Sequence, residues 1–223
     1  MGFIDRLLGR RHAESERPPV SSDVVPRQRG DAGSDRADSV GDASDGGWYL
    51  PQDGDSDRLV GPDGIAALHL IACRDVDGES VLRLCEDSTG LLVSPNDRRL
   101  PLAGVYVSRL RGVAFHQLGC KAGDFHPGAR VRLVREPDNE FDPDAVAVYD
   151  DTGRHLAAYV NNQRARMLSR LIDSGEPIEA VSIRGTGPGL ACDEVAVLAA
   201  SPDVLRRLLE PRPADLPPPV LDS

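Results

Sequence analysis

The sequence predicts a mainly β protein with one or two short helices, its strands closing as an antiparallel barrel or packing as a sandwich. Three observations carry this. First, five short runs suited to strands follow one another between residues 105 and 160: VYVSRL, GVAFHQL, VRLVRE, AVAVYD and HLAAYV. Successive short strands with turn chemistry between them favour an antiparallel all-β architecture. Second, the breaks are polar turns such as EPDNEFDPD and DTGR, the latter suited to a hairpin through Thr152-Gly153. Third, helical spacing is confined to a few stretches, chiefly NNQRARMLSRLIDSG, where Met167, Leu168, Leu171 and Ile172 recur on one face.

Taken in order, residues 1–11 (MGFIDRLLGRR) set Phe3, Ile4, Leu7 and Leu8 on one helical face ringed by Arg6, Arg10 and Arg11. This amphipathic stub suits docking on a partner or marginal binding at a membrane surface. Residues 12–47 are Ser, Asp, Gly, Pro and Arg with scarcely an apolar pair, too little to offset the entropy of ordering, and read as a disordered linker. Residues 48–103 hold three apolar runs, IAALHLIAC, SVLRLC and GLLVSP, cut by polar turns, and read as a small β-rich lead-in. His69 within the first run reads as a core histidine.

The main domain spans residues 104–200. GVAFHQL reads as a continuation of the strand VYVSRL. Asn161 or Asn162 caps the helix after HLAAYV, and Gly175 stops it. Arg164, Arg166 and Arg170 lie off its apolar stripe, where they serve as a solvated face or, beside a cleft, meet phosphate. PIEAVSIRG and CDEVAVLAA read as two closing strands. GTGPGL between them lacks the Lys-Ser/Thr pair of a phosphate loop and reads as a turn. Residues 201–210 read as a short helix opened by Ser201-Pro202, and residues 211–223 as a Pro-rich disordered tail.

Composition narrows the function. The formal net charge is −10, the wrong sign for a non-specific nucleic-acid coat. Between Gly104 and Arg184, however, 11 basic residues (ten Arg and Lys121) meet 11 acidic ones. Any nucleic-acid contact there comes from local placement and not from bulk charge. Cys73, Cys85, Cys120 and Cys192 form no CxxC pair. With no secretory leader or spanning segment in view, they read as reduced thiols of a cytoplasmic protein. Neither they nor His116 and His126 show the spacing of a zinc site, and no nucleophile and base are paired.

The richest stretch is REPDNEFDPDAVAVYD, residues 135–150. Pro137 ends one strand, Val146 and Val148 resume another, and Asn139, Phe141 and Asp142 share the turn. An aromatic face beside an amide and a carboxylate fits a recognition site; it equally fits a capped turn whose Phe tucks into the core.

The succession RGVAFHQ, REPDNEFDPDAVAVYD, a hairpin to AAYV and an amphipathic helix resembles the HIRAN domain over about residues 105–183. That family occurs at the N-terminus of SWI2/SNF2-type helicases and in stand-alone bacterial proteins. The resemblance implies an OB-like antiparallel barrel that binds the 3′ end of single-stranded DNA. Two aromatics stack on terminal bases and an acid meets the terminal hydroxyl. Phe115 and Phe141 match the aromatics, Asp142 the acid, Asn139 a neighbouring polar contact and Tyr159 a ring before the helix, with Asn162, Arg135, Arg164 and Arg166 completing the expected interface. Phe115 and Phe141 replace tyrosines, Ala114 stands where an Arg occurs in the family, and Asn162 where a Lys does. No helicase motif and no zinc-spaced RING accompany the domain. A non-catalytic module with no cofactor is expected, its partners single-stranded DNA ends and a helicase or repair protein reached through the stub or the tail. The rival is a protein-interaction adaptor built on the same barrel.

Overall fold

The strands of the main domain close on themselves because their apolar faces leave nowhere else to go. In a computed structural model that describes residues 59–221, six antiparallel strands form a closed barrel in the order β4-β7-β6-β5-β8-β9. They are β4 (Val105–Arg111), β5 (Arg130–Arg135), β6 (Val146–Asp150), β7 (Leu156–Val160), β8 (Glu179–Arg184) and β9 (Ala196–Ala200). Register shifts at Val148/Tyr149 and at Ser182/Arg184 bend the ladder where the barrel turns its corners. The expected stub at 1–11 and linker at 12–47 lie outside the described residues.

Ahead of the barrel, the three apolar runs supply a separate antiparallel sheet of β1 (Leu68–Arg74), β2 (Ser80–Glu86) and β3 (Leu92–Val93). After it, α3 (Pro202–Leu209) is capped by the Ser201 hydroxyl, which accepts from the Val204 amide. Leu205 and Leu208 of α3 pack with Leu68, Leu84, Leu100, Val105, Val181 and Leu198 into one apolar cluster. A second cluster fills the barrel and the space under two further helices, α1 (Gln117–Ala122) and α2 (Asn162–Asp173), with Leu110, Phe125, Val146, Val148, Leu168 and Val197. Alternate residues of β9 face alternate clusters, and all five are buried. That is why AVLAA shows no polar alternation: a strand covered on both faces has no wet side.

Two expectations need correction. GVAFHQL does not continue β4. Gly112 takes φ 90°, in the left-handed region, and turns the chain into a 3-10 turn over Val113–Phe115 followed by α1. The segment after α3, expected to be a Pro-rich disordered tail, has hydrogen-bond partners as far as Val220. Arg212 donates to the Asp87 carbonyl at 2.9 Å, and the Val220 amide donates to the Gly90 carbonyl at 2.8 Å. His69 is fully buried, and its Nδ1 lies 2.5 Å from Asp87 Oδ1. All four cysteines are free thiols. Among the described residues no helix is long and apolar enough to cross a membrane, and no group of three or more His, Cys, Asp or Glu is placed to hold a metal ion.

Candidate nucleic-acid interface

Strand β7 lies between β4 and β6, so Tyr159 is paired across one ladder with Arg111 and across the other with Ala147. The two segments that follow β4 and precede β6 therefore converge on Tyr159. From the first comes His116, whose ring sits 5.7 Å from that of Tyr159, inclined at 57°. From the second comes Glu136, whose carboxylate accepts the Tyr159 hydroxyl at 3.2 Å. Burial and the neighbouring Glu136 push the Tyr159 hydroxyl above its ordinary pKa, which keeps it a donor.

Glu136 has a second role. The same oxygen accepts the Asn139 side-chain amide at 3.0 Å. Asn139 in turn accepts, through Oδ1, the backbone amides of Phe141 at 3.1 Å and Asp142 at 3.3 Å. Asp142 continues the pattern by accepting the Asp144 amide at 2.8 Å. Asp144 then receives the Ser169 hydroxyl of α2 at 3.1 Å. The turn is thus wired to β7 at one end and to α2 at the other, as a chain of short-range side-chain bonds that replaces strand pairing.

On this turn Phe141 is 94% exposed, and Phe115, on the 3-10 turn after β4, is 89% exposed. Fully burying a Phe is worth roughly 1.5–3 kcal/mol, which two rings in water forgo. The turn is capped, as one sequence reading held, but its Phe does not tuck into the core. Leu118, one turn along α1 from Phe115, is 88% exposed as well. The helix reaches this position because Gly119 passes the β7 backbone so closely that a Cβ there would lie 2.2 Å from the Leu156 carbonyl oxygen.

The basic residues are distributed differently from the aromatics. Arg135 is part of the scaffold: its Nε donates to Asp173 at 3.2 Å and a terminal nitrogen donates to the Ala145 carbonyl at 3.3 Å, leaving the side chain 16% exposed. Asn161 provides the cap of α2, accepting the Arg164 amide at 3.1 Å, and Asn162 is the exposed first residue. Arg166 and Arg170 flank a shallow groove on α2 with Gln163, Met167 and Leu171. The structure therefore joins Asn139, Phe141, Asp142 and Tyr159 in one bonded chain and brings the Phe115 segment to it through His116, while Arg135 is engaged elsewhere. Sequence reasoning missed Glu136 and Leu118, and it weighed His116 only as a ligand or a base. A charged residue before Pro137 and a leucine in an apparent strand carry no mark of their roles.

The HIRAN domain family model matches residues 104–192. Among solved structures, the crystal structure of the HIRAN domain of human HLTF is similar at 18% identity, covering 47% of this chain and 83% of that one, with a TM-score of 0.35. A Lactobacillus plantarum protein is similar at 17% identity over 42% of this chain and 89% of that one, with a TM-score of 0.34. The NMR structure of the HLTF domain has 18% identity over 47% and 86%, with a TM-score of 0.29. No curated protein matches the chain. The matched segment runs from the start of β4 to just before β9 and holds every residue of the bonded chain from His116 to Asp144 and Ser169. Residues 104–192, less than half of the chain, are thus similar to the HIRAN domain, a binding domain known from homologues as a nucleic-acid-binding module.

Proposed function

We propose that this domain binds the 3′ end of single-stranded DNA, as a recognition module in DNA repair or processing. One observation supports this above the rest: two phenylalanines stand almost wholly in water, on segments tied together through His116, Tyr159, Glu136 and Asn139. Bases have apolar faces and stack on such rings, each contact worth about 1–3 kcal/mol. Asp142, next to Phe141, supplies an acceptor for a terminal hydroxyl. Its Oδ1 already holds the Asp144 amide, so the carboxylate is fixed before a ligand arrives.

The test is anisotropy binding of the whole protein to one oligonucleotide with either a free 3′-hydroxyl or a 3′-phosphate. A phosphate would face the like charge of Asp142, so the hydroxyl strand should bind at least about tenfold more tightly, a difference of about 1.4 kcal/mol. Asp142→Asn should shrink that ratio, and 5′-phosphorylation should change little. Equal binding of both 3′ ends would remove end recognition. No binding of either would leave the barrel as a protein-interaction adaptor.

A further inference from the structure

Helix α1 turns a leucine toward water. Of its six residues, Cys120 is buried, while Leu118 is 88% exposed and Lys121 is exposed as well. Residues three apart share a helix face, so these two side chains are neighbours, about 4.5 Å apart along the axis. No carboxylate pairs with Lys121 among the described residues. An apolar side chain beside an unneutralised cation therefore stands in solvent, immediately after the exposed Phe115.

A helix this short does not hold by itself in water. Here it is clamped from three sides. The Gln117 side-chain amide donates to the Cys192 carbonyl at 2.9 Å, and the Gly189 amide donates to the Lys121 carbonyl at 2.7 Å. Gly119 lies so close to the Leu156 carbonyl that no Cβ fits between them. These contacts fix the helix, and with it the positions from which Leu118 and Lys121 project. Exposed apolar side chains grouped beside polar ones are the usual mark of a binding surface.

We propose that Leu118 and Lys121 form a further nucleotide subsite, for the third nucleotide from the 3′ end of a single strand. The subsite rests on the end-binding reading of the domain. Asp142 adjoins Phe141 in the chain, so the nucleotide with the terminal hydroxyl stacks on Phe141 and the one before it on Phe115. The strand then passes to α1. There Leu118 packs against the third base and its sugar, while the Lys121 ammonium meets the phosphate joining the second and third nucleotides. The spacing of the two side chains suits this, since a stacked strand advances about 3.4 Å per nucleotide. An alkyl group makes no hydrogen bond to a base edge and a lysine is a point charge for phosphate, so the subsite adds affinity without reading sequence.

Unlabelled thymidine strands of two, three and eight nucleotides, each with a free 3′-hydroxyl, compete with a 5′-labelled octamer for the full chain, read by anisotropy. The three-nucleotide strand should bind about tenfold more tightly than the two-nucleotide strand. Leu118→Ala combined with Lys121→Ala should weaken the three- and eight-nucleotide strands by about the same tenfold and leave the two-nucleotide strand unchanged. Lys121→Ala alone should lower the salt slope by about one phosphate, and Lys121→Arg should retain it. Both side chains are exposed, so thermal melts of the variants should match wild type. An equal loss at two and eight nucleotides overturns the proposal, because the change would then act on the end site. Full octamer affinity in the double variant, with the wild-type preference for a 3′-hydroxyl over a 3′-phosphate intact, removes the subsite alone. Binding of no strand by the wild type removes the end-binding reading and the subsite together.

Discussion

Glu136 is the junction of the interface, since one carboxylate oxygen takes both the Tyr159 hydroxyl and the Asn139 amide. Replacing it with Ala strands two donors at a half-buried site that water can reach, so the loss of stability should be small. The turn carrying Phe141 and Asp142 would lose its link to β7, and oligonucleotide affinity should fall about tenfold, or about 1.4 kcal/mol. Paired thermal melts and anisotropy titrations of Glu136→Ala separate the two effects; a large fall in melting temperature with binding unchanged would contradict this role. Phe115→Ala and Phe141→Ala should divide the same way and more sharply. Neither ring is packed, so melting should be nearly unchanged while each costs about 1–3 kcal/mol of binding. That Phe141 and Asp142 share a turn was legible because Pro137 ends one strand and Val146 resumes the next; Phe115 entered only through the family resemblance. Glu136 was not legible, because sequence shows a charge without showing what it accepts.

The β6–β7 hairpin is organised around a buried carboxylate. Asp150 accepts the Thr152 hydroxyl at 2.8 Å and the amides of Arg154 at 3.1 Å and His155 at 3.2 Å. Burial pushes its pKa up, but these donors outweigh burial and hold it below the ordinary value. A depressed folded pKa contributes stability that is fully present above the unfolded value, near about 4, and is lost as pH falls through the folded value. Stability should therefore drop below about pH 4, and Asp150→Asn should lose about 1–3 kcal/mol at neutral pH and flatten that part of the acid limb in urea titrations at stepped pH. The hairpin was legible from DTGR between two alternating runs. The helix α1 was not: Val113 and Phe115 stand two apart as in a strand, and six residues are too few for a helical period to declare itself. Only the left-handed Gly112 separates the two outcomes, and sequence does not display φ.

At the largest scale described, the lead-in sheet, α3 and the segment after it share one polar knot. Asp87 meets His69 Nδ1 at 2.5 Å and Arg207 at 3.6 Å, while Arg212 donates to its carbonyl at 2.9 Å. Ending the chain at Glu210 removes Arg212 and should cost about 1–3 kcal/mol in urea unfolding. An unchanged midpoint would mean that the segment contributes nothing. The Pro-rich composition concealed this anchoring because it offers no apolar period, and the holding falls to polar contacts, the Arg212 guanidinium on Asp87 and the Val220 amide on Gly90. Charge acts at the same scale. With 11 basic and 11 acidic residues between Gly104 and Arg184, and Arg135 committed to Asp173, affinity should fall only gently with salt, as for about two or three neutralised phosphates. A steep slope abolished by Arg166→Ala with Arg170→Ala would transfer the phosphate path to the α2 groove.

Barrel closure pairs Val105 with Ala200, and the ladder continues to Arg109 and Ala196. The chain thus enters and leaves the barrel side by side. Ladder hydrogen bonds lie perpendicular to the strands, so tension applied between residues 105 and 200 loads the first pair alone and opens the seam like a zip, one pair after another. Tension applied along β6 and β5 from their far ends would instead load their five paired positions together. The domain should be mechanically soft to a tug on its own flanking segments and stiff to one directed along its paired strands.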